Sequence, residues 1–273
     1  MTHSGADIAQ LLSAHGLRPS RALGQNFVAD PNTVRRIARL AGVSAGDRVL
    51  EIGAGLGSLT LALAETGAQV VAVEADRHLV PVLRSVVGPA GVEVEEGDAL
   101  TLDLAALLAA RGEGSWSLVA NLPYNVATPL VLRTLTEVPA VTRQLVMVQR
   151  EVGERMAAEA GQPAYGAVSV RIAYFARAEV VGRVPASVFV PRPRVESVLV
   201  RIVRRSAPAV DPALVSYARL DTVLRAGFGQ RRKMLRRSLA GVVEPDAFVR
   251  AGVRPEARAE ELDVEAWGRL AAC

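Results

Sequence analysis

The run Glu51-Ile52-Gly53-Ala54-Gly55-Leu56-Gly57, set between an apolar segment and Leu59-Thr60-Leu61-Ala62, leaves the chain few architectures. An apolar stretch, clustered glycines and a helical pattern read as strand, tight turn and helix. Glycine permits the turn and lets a ligand approach the backbone N–H groups. The spacing is G-x-G-x-G and residue 58 is serine, so the dinucleotide fingerprint G-x-G-x-x-G fails at its last glycine. Alone, the motif leaves a ligand-free turn open.

The rest of the chain repeats the pattern. Short β-rich runs at Arg48–Ile52, Val70–Val73, Val92–Val94, Leu118–Ala120 and Leu145–Val148 are separated by segments long enough for helices. Strand alternating with helix reads as a parallel sheet covered on both faces. Two further runs, Ala178–Val184 and Ser197–Val203, enclose a loop rich in proline and arginine and are expected to form a terminal antiparallel pair. The expected fold is α/β: a Rossmann-like sheet of seven strands, mostly parallel, as in methyltransferases rather than dinucleotide dehydrogenases. Before the sheet, Ile8, Leu11 and Leu12, then Val34, Ile37, Ala38 and Leu40, recur at helical spacing on either side of the loop Arg21 to Phe27. Asp30 before Pro31 is a helix start signal. After Ala207-Pro208 the β signal ends, which places a domain boundary near Ser206: residues 1–206 form the sheet domain, and 207–273 a small helical one.

Each strand end carries a polar or glycine residue. Glu74 closes the second run, where a carboxylate can accept both hydroxyl hydrogens of a ribose, a feature shared by NAD and S-adenosylmethionine sites. Asp98 follows the third run and can accept from an adenine amino group; Asn121 closes the fourth. Any one acid reads as a solvated loop carboxylate, but their regular recurrence marks the edge where open α/β sheets bind ligands. Glu51 lies inside an apolar strand, where an unpaired carboxylate is costly. Bonds to loop amides and contact with the charged end of a cofactor are both open to it.

Asn121-Leu122-Pro123-Tyr124 suits methyl transfer to an amino group on a planar ring. The lone pair of an adenine 6-amino group is delocalised, and the group carries two N–H donors. The Asn121 side-chain oxygen and a main-chain carbonyl at Leu122 or Pro123 could accept both hydrogens, favouring a pyramidal nitrogen aimed at a sulfonium methyl group. Pro123 stiffens the backbone, and Tyr124 offers a π face to an extruded base. A strand-ending turn is the plain alternative.

Half of the 273 residues are hydrophobic, as in a globular chain. The single cysteine, Cys273, rules out an intrachain disulfide, and His3, His15 and His78 are scattered without ligand spacing, so no metal is expected. All three histidines read as solvent-facing or structural. No apolar run reaches the ~18 residues of a membrane span and no signal-peptide pattern opens the chain; a soluble cytoplasmic protein, monomeric for want of a long exposed apolar stripe, is the expectation. The net charge of +4 argues weakly for nucleic acid; its placement argues more. Arg225, Arg231, Arg232, Lys233, Arg236 and Arg237 are densest. Helical spacing would set Arg232 beside Arg236 and Lys233 beside Arg237, with Leu235 and Leu239 turned inward. Arg192 and Arg194 would add to this phosphate-tracking surface if the fold brings them near.

Together these residues resemble the ribosomal RNA adenine dimethyltransferases, and most nearly their bacterial small-subunit members. The resemblance runs through Gly24-Gln25-Asn26-Phe27, Glu51 to Gly57, Asn121 to Asn125, Val188 to Ser197 and Gln230-Arg231-Arg232-Lys233. It implies that S-adenosylmethionine is held by Asn26, the backbone of Val28, Gly53, Gly55, Glu74, Asp98 and Asn121. It implies that Asn121, Leu122, Pro123 and Tyr124 receive the adenine, with Phe189 a second aromatic surface, and that Arg192, Arg194, Arg231, Arg232, Lys233 and Arg236 contact RNA. The implied substrate is small-subunit rRNA in a pre-ribosomal particle, dimethylated at two adjacent adenines of a hairpin near its 3′ end. Arg21 stands where the family usually has lysine, and Val28 where leucine is common. From the residues, Phe189 reads equally as a core residue anchoring its loop. Large-subunit methyltransferases of the macrolide-resistance type share the glycine loop, the acids and the aromatic amide motif. DNA amino methyltransferases are a weaker match, and a binding protein that monitors ribosome assembly is the reading from a different class.

Overall fold

The computed structural model describes residues 2–20 and 22–273; Arg21 therefore lies outside the described residues. The strands are β1 (Phe27–Val28), β2 (Arg48–Ile52), β3 (Gln69–Glu74), β4 (Glu93–Glu96), β5 (Trp116–Asn121), β6 (Val141–Gln149), β7 (Ala176–Val184), β8 (Phe189–Val190) and β9 (Ser197–Arg204). Seven of them form one sheet in the order β4-β3-β2-β5-β6-β9-β7. The pairs β2 with β3, β3 with β4, β2 with β5 and β5 with β6 are parallel, and β9 runs antiparallel to β6. The expected seven-stranded, mostly parallel sheet is therefore present.

Consecutive residues explain the layering. Val49 and Leu50, Val71 and Ala72, and Val119 and Ala120 are buried side by side. Neighbours on a strand point to opposite faces, so both faces are covered. Each such valine or leucine contributes about 1.5–3 kcal/mol. One face packs against the helices Pro31–Ala41 and Ser58–Ala64 through Val34, Ile37, Leu59 and Leu63. Asp30 caps the first of these, its carboxylate accepting from the N–H groups of Asn32 and Thr33, as its position before proline predicts. The edge strand β4 carries Glu93, Glu95 and Glu96, charges that discourage pairing with another chain.

A second, two-stranded sheet has no counterpart in the sequence expectations. β1 and β8 pair antiparallel, Phe27 opposite Val190 and Val28 opposite Phe189. Two residues are too few for alternation to register.

Two compact units are discontinuous in sequence. One comprises Met1–Gly153 and Val180–Val203, the other Glu154–Glu179 and Arg204–Cys273. The sequence-based division at Ser206 lacks this interleaving. The helix Ala167–Phe175 accounts for it: Val170 and Tyr174 share a buried cluster with Leu220, Leu224 and Trp267, and Arg171 pairs with Asp221 at 2.6 Å. Beyond residue 206 the expected short helices are present, at Tyr217–Gly229, Leu235–Ser238, Ala247–Ala251 and Val264–Ala272. Among the described residues, no helix is long and apolar enough to cross a membrane.

Candidate active site

β2 leads into a turn and helix toward β3 on one side of the sheet, while β5 continues to β6 on the other. The strand order reverses between β2 and β5, and ligands of open α/β sheets bind outside the carboxyl ends at such a point. A cavity of about 290 Å³ lies here, lined by Asn26, Val28, Glu51, Gly53, Gly55, Glu74, Asp98 and Asn121 to Tyr124. Every residue that the sequence assigns to the cofactor borders it.

The glycine turn borders it through Gly53 and Gly55. Gly53, Gly55 and Gly57 have φ of 75°, 59° and 84°. A Cβ on Gly55 would stand 2.9 Å from the Phe27 ring, and one on Gly53 would project toward the Asn121 carbonyl and the Pro123 ring. The Gly55 N–H donates to Glu74 Oε2 at 2.7 Å, and the Asp76 N–H donates to Oε1 at 2.8 Å. Burial raises the Glu74 pKa, and these amides oppose the shift. Each oxygen keeps a further lone pair, so a diol can be received without dismantling the turn. Asp98 is exposed at the end of β4, where it accepts from the Leu100 N–H at 2.9 Å.

Glu51 is 1% exposed, and its Oε2 has no hydrogen-bond partner. Burial pushes its pKa up to about 8; the Thr60 hydroxyl opposes that shift and the Glu74 charge adds to it. Of the loop amides that the sequence offers to Glu51, that of Gly55 bonds Glu74 instead.

Asn121 ends β5 with its amide oriented by one bond: Nδ2 donates to the Asn26 carbonyl at 3.0 Å. Oδ1 remains the acceptor of the group. The structure also separates the two carbonyls left open by the sequence. The Pro123 carbonyl accepts from Val126 and Ala127 at 3.2 and 3.1 Å, starting the helix Ala127–Glu137. Leu122 donates its own N–H to the Met147 carbonyl at 3.1 Å, and among the described residues its carbonyl receives no backbone bond. Tyr124 is partly buried, its hydroxyl 3.2 Å from Ser197 Oγ.

Phe189 is not brought to this group. It is 3% exposed, pairs with Val28 across the small sheet and packs among Val34, Ile37 and Met147. The core reading describes its place. The basic cluster is not one helical face either: residues 230–234 form a turn and bridge between the helices Tyr217–Gly229 and Leu235–Ser238. Arg225 is paired with Asp221, Arg231 with Glu260 at 2.7 Å, and Arg236 with Glu256 at 3.1 Å. Arg232, Lys233 and Arg237 are exposed, and Leu235 and Leu239 are fully buried as the spacing predicts. Arg192 and Arg194 are exposed on the loop before β9.

Three contributors were missed. Gln25 accepts from the Ser20 N–H at 2.7 Å and donates to Asp76 at 2.8 Å, bracing the loop beside the cavity. His3 Nε2 lies 3.0 Å from the Leu56 carbonyl of the glycine turn, and its pKa is lowered by burial. Ser197 meets Tyr124 across a separation of 73 residues. Gln25 and Ser197 lay within motifs carrying the resemblance, but nothing there named their partners.

The family model for ribosomal RNA adenine dimethylase matches residues 17–273. The chain belongs to this family. The ribosomal RNA small subunit methyltransferase A of Cutibacterium acnes is 46% identical, covering 95% of this chain and 90% of that protein. The protein of the same name from Bifidobacterium adolescentis is 44% identical, covering 97% and 92%. Among solved structures, a dimethyladenosine transferase from Plasmodium falciparum superimposes with a TM-score of 0.74 at 24% identity, over 88% of this chain and 94% of that one. The 23S rRNA methyltransferase ErmE gives 0.70 at 25% identity, over 90% and 98%. The family is dependent on S-adenosylmethionine, and the site fits it. Glu51 offers an orphaned buried oxygen, Gly53 leaves space that a Cβ would fill, and Glu74 and Asp98 are acceptors for a diol and an amino group.

Proposed function

We propose that the chain transfers methyl groups to the 6-amino groups of two adjacent adenosines in a hairpin near the 3′ end of small-subunit rRNA, acting as a monomer on a pre-ribosomal particle in the cytoplasm. S-adenosylmethionine, when bound, supplies the electrophilic methyl group. Glu74 receives the ribose hydroxyls, Asp98 the adenine amino group of the cofactor, and Glu51 faces its charged end. The observation that carries the reading is the Asn121 amide at the cavity, held by Asn26 so that Oδ1 is left as the acceptor; the Leu122 carbonyl is assigned as the second acceptor.

Those acceptors receive hydrogen bonds from the N–H groups of the target amine and leave its lone pair for an in-line displacement, in which the N–C bond forms as the methyl's bond to sulfur breaks and the nitrogen then releases one proton to solvent. Positioning and fixed dipoles supply the acceleration. Tyr124 stacks on the extruded base, and the exposed Arg192, Arg194, Arg232 and Lys233 follow the phosphates. The small-subunit relatives favour this substrate over the large-subunit one, which is named for the structurally similar ErmE.

Labelled methyl transfer to purified, undermethylated small and large subunits tests the choice. Label in the small subunit alone is expected; label in the large subunit would move the chain to the resistance-type reading.

A further inference from the structure

We propose that Ser197 is a positioning residue for methyl transfer, its hydroxyl fixing the Tyr124 ring beside the cavity so that one face meets the incoming base. The inference rests on the dimethyltransferase reading above.

Tyr124 occupies a short turn whose backbone, among the described residues, is bonded at its ends, through Leu122 to Met147 and through Val126 and Ala127 to Pro123. Among the described residues no other aromatic ring stacks on Tyr124. An aromatic side chain held only by its stem rotates about two torsions, and a stacking platform free to rotate loses part of its binding energy to ordering. The hydroxyl is the second point of attachment, 3.2 Å from Ser197 Oγ.

Ser197 is suited to this. It is 1% exposed and is the first residue of β9, in register with Gln149 of β6 in the antiparallel ladder. Its backbone is therefore set by the sheet rather than by the loop that precedes it. A buried hydroxyl without a partner is costly, and the Tyr124 hydroxyl is the partner found. The bond thus joins the base platform to a strand paired within the central sheet. The Asn121 amide is oriented separately through Asn26, so loss of the Ser197 bond leaves the acceptor pair intact.

The test compares wild type, Ser197→Ala, Tyr124→Phe, the double variant and Ser197→Thr in single-turnover methyl transfer to undermethylated small subunits, with cofactor affinity measured by calorimetry. Ser197→Ala should slow transfer about three- to tenfold, the range for one hydrogen bond, with unchanged cofactor affinity. Tyr124→Phe, which keeps the ring and removes only the hydroxyl, should give the same loss. The double variant should be no slower than either single one, and Ser197→Thr should recover most of the rate.

Wild-type rates in Ser197→Ala or Tyr124→Phe, or losses that multiply in the double variant, would overturn the assignment. Should Ser197→Ala fail to fold, Tyr124→Phe and Ser197→Thr decide alone, since neither empties the site. A wild-type protein inactive on small subunits would instead reject the dimethyltransferase reading on which the inference stands.

Discussion

Asn121 Nδ2 donates to the main-chain carbonyl of Asn26, 3.0 Å away and 95 residues earlier in the chain. A carbonyl can only accept, so this bond fixes which end of the Asn121 amide is left to meet a substrate. The loop before β1 thereby orients the acceptor at the end of β5, besides lining the cavity itself.

Replacing Asn121 should therefore damage chemistry more than folding. Asn121→Ala removes one of two acceptors, and we expect the rate of methyl transfer to fall about 100- to 1,000-fold, the range for losing one preorganised polar group. Asn121→Asp keeps an oxygen but cannot donate to Asn26, and should lose comparably. Single-turnover rates alongside thermal unfolding check this; near-normal turnover in Asn121→Ala would remove the residue from its assigned role.

Glu51 should make the ligand-free protein less stable as pH rises. Its carboxyl is held protonated in the fold up to about pH 8, against an ordinary value of 4.5. Between those values the folded state binds more protons than the unfolded one, so stability falls with increasing pH, by at most about 1.4 kcal/mol per pH unit. Burial shifts Glu74 in the same direction, adding to the slope. Urea unfolding at pH 5 and pH 8 should show the loss in wild type and a smaller one in Glu51→Gln. Equal slopes in the two proteins would contradict the buried, protonated state.

Periodicity and strand-end residues made the sheet and its ligand edge legible in the sequence. Val49-Leu50 and Val119-Ala120 are apolar runs because both faces are covered, and Glu74, Asp98 and Asn121 recur because each ends or closely follows a strand at the same edge. What escaped depends on contacts between distant segments. Tyr124 gives no sign of Ser197, and Phe189 offers the same letter whether it faces a base or fills a core. The basic run failed for a local reason: the chain leaves the helix at Gln230, so three- and four-residue spacing no longer describes a face.

Gly55 should tolerate no side chain. Its φ is 59°, and a Cβ would approach the Phe27 ring at 2.9 Å. Gly55→Ala combines backbone strain with overpacking, so we expect a loss of about 1–3 kcal/mol in stability. Cofactor binding should weaken as well, because the Gly55 N–H anchors Glu74. Calorimetric titration and urea unfolding check both; wild-type affinity would show that the turn is not used as described.

Arg232 and Lys233 should matter to RNA more than their paired neighbours. Arg231 and Arg236 are engaged by Glu260 and Glu256, whereas Arg232 and Lys233 stand exposed. The Arg232→Ala/Lys233→Ala variant should bind small-subunit rRNA more weakly, with the slope of log affinity against log salt reduced by about 1–2. Filter binding across a salt series measures this, and an unchanged slope would remove these side chains from the phosphate surface.

The most direct measurement is mass spectrometry of small-subunit rRNA fragments after undermethylated particles are incubated with the purified protein and S-adenosylmethionine. Two neighbouring dimethyladenosines in one hairpin fragment near the 3′ end are the expected product. Unmodified adenosines there, or methyl groups confined to another site, would contradict the proposed function.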